Sequence, residues 1–214
     1  MTMTFIGAAM LWVGWFGFNG GSALSAGGDA AMAILATHIS AAAGAMTWMF
    51  YEWVKFGKPT ALGSVTGMVA GLGTITPASG FVGPAGALVI GIIAGAVCFN
   101  AVIMIKQKFK IDDSLDVFPV HGVGGICGTI LVGFFASKEL GIFSGQGGWS
   151  HEAIIISDQL QIQLTAVVAT AAYTALATFV ILKIVDVVTG LRVDSQTETQ
   201  GLDLDSHGET GYNL

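Results

Sequence analysis

The stretch of residues 59–105 contains no charged side chain, and this limits what the chain can fold into. A membrane-spanning helix needs roughly 20 consecutive, mostly apolar residues, so this stretch is long enough for two spans. A cluster of turn-forming residues, Thr76 to Gly80 followed by Gly83 and Pro84, lies between its two halves and predicts the turn that separates them. Residues 59–105 are therefore interpreted as a membrane helical hairpin.

Four further windows without charge cover residues 1–28, 30–51, 117–137 and 159–182. Hydrophobic residues make up 53% of the chain and charged residues only 10%, whereas soluble domains carry about 25% charged residues. The windows lack the alternation of a transmembrane β-strand. The sequence predicts an all-α, polytopic transmembrane bundle over residues 1–193, followed by a polar tail over residues 194–214. Its approximately six spans are predicted at 3–26, 30–54, 60–77, 81–107, 115–137 and 158–188.

Basic residues predict the orientation of the bundle. Seven of the 8 positive charges lie in alternate loops or at the end of the last span, and the opposite loops carry only Lys138. Because cytoplasmic loops are enriched in Lys and Arg, we expect both ends of the chain on the cytoplasmic side of a plasma or inner membrane. The segment 137–158 is expected outside. The chain has no basic block for nucleic acid, and residue 1 opens an apolar segment unlike a secretory signal peptide.

Glycines recur at a spacing of four residues along several predicted spans. The sets are 63, 67 and 71; 91 and 95; 124 and 128; and 17 and 21. Such spacing lets helix backbones approach closely in a bilayer, so we interpret these sets as packing surfaces.

His121 is the polar side chain that fits a lipid environment least well, because it lies several residues inside its predicted span. Polar groups at membrane depth usually face an interior or a cavity, and the glycines that follow His121 are expected to leave space beside its ring. A neutral imidazole both donates and accepts hydrogen bonds, so it suits a passage for a small polar molecule. The residues leave two interpretations open: a pore histidine, or a packing histidine with satisfied partners.

Phe18 and Ser22 lie four residues apart near the predicted outer end of the first span, and so share a helix face. An aromatic ring beside a hydroxyl suits a small cation, through cation–π attraction and a hydrogen bond. An interfacial aromatic belt is the alternative, and the residues alone favour it.

Asp116 lies at the start of the fifth predicted span, where a carboxylate complements the helix dipole, so a structural role is expected. His38, on the second span, is also expected to be structural. The sequence presents no nucleophile–base pair, phosphate loop or metal-ligand spacing. We expect no enzyme activity, no cofactor and no metal.

Several motifs together resemble the Amt/Rh family of ammonium transporters, over nearly the whole chain and in order. They comprise residues 14–19 with Ser22, 71–78, 116–118 with 121–125, 190–193, 201–203, 206–209 and Tyr212. The resemblance implies a trimer with one pore per subunit and eleven helices per subunit, of which ten form two inverted five-helix repeats. This chain resembles the C-terminal half, from the sixth to the eleventh helix.

The resemblance also implies roles for individual residues. Ser22 is expected to bind ammonium at an external recruitment site, Phe18 to be one of two gate aromatics, and His121 one of two pore histidines. Secondary pore or structural roles are implied for Trp15, Asn19, Thr76, Asp116 and Val117. The tail residues Gly201, His207, Gly208, Glu209 and Tyr212 are expected to regulate, and a PII-type protein to dock on the cytoplasmic side.

The chain departs from the family pattern, because the family's first five helices have no counterpart in this sequence. The second pore histidine and the second gate aromatic belong to that missing half, and His38 does not replace the histidine. We therefore expect Asn19 and His121 to face partners from the missing half. Two alternatives to transport remain: an ammonium sensor or regulatory scaffold, and a half-transporter that does not conduct alone.

Overall fold

The structure, a computed structural model, describes residues 1–143 and 154–211. Every regular element in these residues is a helix, which confirms the all-α prediction. The predicted outer loop lies largely outside the described residues, as does Tyr212. The chain forms two compact units, residues 1–167 and 168–214, and α6 begins in the first unit and ends in the second.

Eight α-helices follow one another along the described chain. Their bounds are α1 Thr2–Gly21, α2 Gly28–Phe56, α3 Ala61–Ile75, α4 Pro84–Ile103, α5 Gly124–Phe135, α6 Ile156–Val188, α7 Ser195–Gln200 and α8 Leu202–His207. Two π-helical turns extend them. The first π turn, Met104–Lys108, continues α4, and the second π turn, Phe118–Val123, leads directly into α5.

Four helical segments are long and apolar enough to cross a membrane: Gly28–Phe56, Pro84–Lys108, Phe118–Phe135 and Ile156–Val188. Helix α3, at 15 residues, is shorter, and α1 is not among the four. Four of the predicted membrane helices therefore have the length and composition of a span, while the count of six spans and their bounds stay predictions.

Local sequence explains where several helices begin and end. The Thr60 side chain accepts a hydrogen bond from the Gly63 amide and so caps α3, because the first amides of a helix have no partner within it. Pro84 occupies the first turn of α4, where its missing amide costs nothing. Gly57, with φ +82°, ends α2 in the left-handed conformation that glycine adopts without steric penalty.

Helices α2, α3 and α4 pack together through small residues at the centre of the first unit. A Cβ added to Gly44 would lie within 3.0 Å of the Gly67 carbonyl oxygen, and one added to Gly91 within 3.0 Å of the Ser40 backbone. The close packing predicted from the glycine spacing is confirmed for these helices. For Gly17 and Gly21 it stays a prediction, because a Cβ there would meet no described atom of this chain within 4 Å.

The second unit contains the end of α6 and the two short tail helices. Asp194 caps α7 by accepting hydrogen bonds from the Gln196 and Thr197 amides, each at 2.9 Å. These bonds, that of Thr197 first, lower the pKa of Asp194 below its ordinary value. The Arg192 guanidinium donates to both carboxylate oxygens of Glu198 and lowers the pKa of that carboxyl.

Candidate functional site

Phe18 and Ser22 form an exposed pair at the C-terminal end of α1. The Phe18 side chain is 63% exposed, and its ring meets that of Trp15 edge to face, with centroids 6.2 Å apart. Ser22 Oγ donates a hydrogen bond to the Phe18 carbonyl at 2.8 Å. A hydroxyl has one hydrogen to donate and two lone pairs that accept. Because the hydrogen of Ser22 is engaged, its oxygen is oriented as an acceptor, the property that an N–H cation requires.

Trp15 fixes α1 against the end of α3. Its indole Nε1 donates to Thr76 Oγ1 at 2.8 Å, and the Thr76 hydroxyl donates to the Leu72 carbonyl, also at 2.8 Å. Trp15 and Thr76 are therefore brought together, in a chain of hydrogen bonds that ends at the α3 backbone. Through its ring contact with Phe18, Trp15 also limits where that aromatic side chain can lie.

Asn19 is buried, at 5% exposure, and has its partner within this chain. Asn19 Nδ2 donates to Thr37 Oγ1 of α2 at 2.9 Å, and Thr37 donates to the Ala33 carbonyl at 2.6 Å. The expectation that Asn19 faces a partner from missing helices is wrong, since its polar group is satisfied against α2. Asn19 thus holds the helix end that carries Phe18 and Ser22.

His121 lies in the second π turn, with an exposed side chain. It makes no hydrogen bond, ion pair or ring contact with the residues that the structure describes. An α-helix with a π turn contains one extra residue, and such turns are frequent at functional sites. Nothing in the sequence distinguishes a π turn from an α turn at this position.

The glycines around His121 do not all leave space beside its ring, contrary to the sequence-based expectation. A Cβ at Gly122 would meet the Phe118 ring at 2.8 Å, and one at Gly124 would meet Thr74 Oγ1 at 2.9 Å. Gly125 faces open space, with no described atom within 4 Å of such a Cβ. Gly122 therefore leaves room for the Phe118 ring of its own turn, and Gly124 allows close packing against Thr74 of α3.

The start of the second π turn differs from the sequence-based expectation. Asp113, rather than Asp116, is the carboxylate that meets the free amides, because it accepts hydrogen bonds from Val117 N and Phe118 N, each at 2.9 Å. Asp116 instead forms an ion pair with Lys106 at 2.7 Å. Neither contact of Asp113 nor the partner of Lys106 was predicted from the sequence; an Asp just before an apolar helix is the signal that could have identified the first.

His38 lies against aromatic rings of α1, with centroid distances of 5.2 Å to Trp12 and 5.8 Å to Phe16. The two histidines therefore differ in surroundings, because His38 has ring neighbours on α1 and His121 has none in the described chain. The structure shows no contact that joins His121 to Phe18 or Ser22.

Buried Glu52 is a further polar residue whose partner the sequence did not reveal. It accepts hydrogen bonds from the Thr60 amide at 2.6 Å and from the Thr60 hydroxyl at 3.0 Å. The end of α2 is thereby tied to the residue that caps α3. In residues 1–143 and 154–211, no group of three or more His, Cys, Asp or Glu side chains is placed to hold a metal ion.

Two glycines in the tail adopt left-handed or related backbone conformations. Gly201, with φ +97°, separates α7 from α8, and Gly208, with φ +65°, ends α8. Helix α8 ends with His207, and the Glu209 amide donates to the Asp203 carbonyl at 3.0 Å. Residues 201–209, expected to be regulatory, thus form a compact helical turn of their own, while Tyr212 lies outside the described residues.

Comparison with known proteins gives the same family along the whole chain. The profile of the "Ammonium Transporter Family" matches residues 1–212. The chain is similar to ammonium transporter Amt1 of Archaeoglobus fulgidus, with 48% identity over 98% of this chain and 52% of the relative. It is also similar to the ammonium transporter of Bacillus subtilis, with 46% identity over 98% of this chain and 51% of the relative.

Among solved structures, the chain is similar to one described as "Sensor Amt Protein". The TM-score is 0.82 and the identity 32%, over 93% of this chain and 47% of that one. The chain spans about half the length of the curated relatives that it matches.

Proposed function

The chain belongs to the ammonium transporter family, and from this premise we propose that it forms the C-terminal half of an ammonium pore, the sixth to eleventh helices of an eleven-helix subunit. The observation that carries the proposal is that His121 and Phe18, to which the resemblance assigns pore roles, are exposed on this chain. A packing histidine would have partners, whereas His121 has none among the described residues.

In the proposed mechanism, ammonium binds first beside Phe18 and Ser22. The Phe18 ring offers cation–π attraction, and the Ser22 oxygen offers a lone pair, because its hydrogen already bonds the Phe18 carbonyl. Moving a charged ion from water into an apolar passage without compensation is very costly. The ion therefore gives its proton to water at this exposed site, and neutral ammonia passes along His121, whose imidazole both donates and accepts hydrogen bonds.

The complete subunit, on this proposal, needs five more helices that supply a second histidine and a second gate aromatic. We further propose that complete subunits form a homotrimer, that both ends of this chain lie in the cytoplasm, and that a PII-type protein docks on that side. The distribution of Lys and Arg supports the orientation. The 214-residue chain by itself is expected to conduct nothing.

Uptake of labelled methylammonium by proteoliposomes tests the recruitment site. In the assembly that contains both halves, Ser22→Ala should raise the KM for methylammonium, because a cation ligand is lost. Phe18→Ala should change the maximal rate as well, because Phe18 also gates the passage. Thr66→Ala is the matched control, since its hydroxyl donates to the Leu62 carbonyl on α3. Unchanged kinetics in both site variants would refute the assignment of the recruitment site.

A second function, ammonium sensing, is favoured by the similarity to the structure described as "Sensor Amt Protein". In a sensor, ligand binding changes the tail or its partner and flux is incidental. Ammonium binding without uptake, together with signalling that is lost when residues 195–214 are deleted, would support sensing over transport.

A further inference from the structure

An ion pair joins the first π turn to the end of the loop of residues 109–117, just before the second π turn. Lys106 belongs to the first π turn, and Asp116 lies two residues before the second. Their charged atoms, Lys106 Nζ and Asp116 Oδ1, are 2.7 Å apart, and the side chains are 36% and 18% exposed. Asp116 Oδ1 is shielded from solvent and accepts no well-aligned hydrogen bond from the described residues. The approach of the Lys106 ammonium is therefore the interaction that compensates its charge.

The backbone of Asp116 is in the left-handed region, with φ +56°. That region is unfavourable for residues with a Cβ, although Asp and Asn tolerate it better than most. The Asp116 carbonyl accepts a hydrogen bond from the Val120 amide at 3.0 Å, so the left-handed residue also supplies an acceptor to the first turn. The conformation of Asp116 consequently determines how the helix containing His121 begins.

The direction of the His121 side chain depends on that beginning. Side chains advance by about 100° per residue around an α-helix, and a π turn accommodates one additional residue. If Asp116 relaxed out of the left-handed conformation, the turn would be free to close as an α turn. The His121 imidazole would then point to a different side of the helix.

We propose that Lys106 is a positioning residue for His121: by holding Asp116 in its left-handed conformation, it maintains the π turn that directs the imidazole outward. The proposal rests on the proposed function only where it takes His121 to be the pore imidazole. Lys106 acts through the backbone and is not itself expected to contact ammonium. Asp113, through its bonds to the Val117 and Phe118 amides, holds the same turn from its other side.

Chemical labelling of position 121 tests this geometry without requiring transport. His121→Cys is made in the full chain after Cys98→Ala and Cys127→Ala, and its rate of reaction with a small, water-soluble methanethiosulfonate is measured. Adding Lys106→Gln should change this rate by about tenfold, the factor that follows from a left-handed penalty of roughly 1.4 kcal/mol. Lys106→Arg should keep the original rate.

Two controls separate local repositioning from general damage. Lys108→Gln removes the same charge from the same π turn and should leave the labelling rate at position 121 unchanged. A thiol introduced by Ser22→Cys, in the chain without other cysteines, should label at one rate with and without Lys106→Gln. If Lys106→Gln changed the labelling rate at position 22 as much as at position 121, Lys106 would support the whole fold, and the proposal would be overturned.

Double variants separate the backbone role from simple charge balance. Glycine adopts the left-handed conformation of Asp116, with φ +56°, without steric penalty. Lys106→Gln with Asp116→Gly should therefore restore the original labelling rate, whereas Lys106→Gln with Asp116→Ala should not. If the labelling rate recovered equally in the Asp116→Gly and Asp116→Ala double variants, Lys106 would only neutralise a carboxylate, and the proposal would be contradicted. Asp116→Gly alone should label normally, which provides a test even if Lys106→Gln does not fold.

The outcomes also distinguish this proposal from the proposed function. If labelling responds as expected but the assembled protein takes up no methylammonium, the pore assignment fails and the positioning role stands. If uptake requires His121 but the labelling rate at position 121 does not change in Lys106→Gln, the pore assignment stands and the positioning role is overturned.

Discussion

The hydrogen bond between Asn19 and Thr37 offers a quantitative test of how α1 is held against α2. Replacing Thr37 by valine preserves the side-chain shape but removes the oxygen that Asn19 Nδ2 contacts at 2.9 Å. Because Asn19 is 5% exposed, its amide would be left buried without that acceptor. An unsatisfied buried polar group costs about 1–3 kcal/mol.

Replacing Asn19 instead of Thr37 is expected to cost less free energy of unfolding. In Asn19→Leu, the Thr37 hydroxyl still donates to the Ala33 carbonyl at 2.6 Å, so no hydroxyl is orphaned and the loss is one hydrogen bond. Hydrogen bonds between membrane helices contribute about 0.6 kcal/mol on average, and about 1.7 kcal/mol at most. The double variant Asn19→Leu with Thr37→Val removes both polar partners, and should be nearly as stable as the original chain, since matched apolar replacement is close to neutral.

Unfolding of the purified protein in detergent, followed by tryptophan fluorescence, measures these differences. Thr37→Val should lower the unfolding midpoint by about 2–4 °C for each kcal/mol lost, and adding Asn19→Leu should recover most of that loss. If the double variant is nearly neutral, the coupling free energy between the two positions is the sum of the two single losses, roughly 1.6–4.7 kcal/mol in magnitude. Additive losses in the double variant, or no loss in Thr37→Val, would refute the inference that Asn19 is satisfied by α2.

Three further perturbations probe other parts of the structure. Gly128→Ala should lower the unfolding midpoint in the same assay, because a Cβ there would collide with the Thr74 backbone, whereas Gly125→Ala, facing open space, should not. Glu52→Leu should cost about 1–3 kcal/mol, because Thr60 loses its acceptor; an unchanged midpoint would contradict the contact. The cap that Asp194 places on α7 should persist down to its ordinary pKa of 3.8 and be lost as pH falls through the lowered pKa below it. Hydrogen exchange of the first α7 amides measures this, and Asp194→Asn should abolish the pH dependence.

Much of the helical architecture follows from the distribution of charge along the sequence. Each charge-free window contains a helix, because lipid leaves a backbone no partners except its own. The end of α3 follows from the turn-forming cluster of residues 76–80, which contains Pro77 and Gly80. The structure ends α3 at Ile75, where Thr76 still bonds back to Leu72.

The geometry of the candidate site could be predicted less well from the sequence, because it depends on contacts between residues that are far apart in the chain. Trp15 and Thr76 are brought together by packing across many residues, and no periodicity reveals that pairing. The π turn at His121 depends on Asp113, Asp116 and Lys106 jointly, whereas local propensity describes one residue at a time. The sequence identified His121 as unusual, while its exposure and lack of partners among the described residues became visible only in the fold.

Transport by the complete assembly with one histidine removed tests the central claim most directly. Ammonium-driven current or methylammonium uptake is measured in proteoliposomes for His121→Ala and for His38→Ala, at matched protein content. A pore that contains His121 predicts that His121→Ala abolishes or changes transport. His38→Ala should transport as the original protein does, because His38 packs against Trp12 and Phe16. Unchanged transport in His121→Ala, or equal losses in the two variants, would contradict the assignment of His121 to the pore.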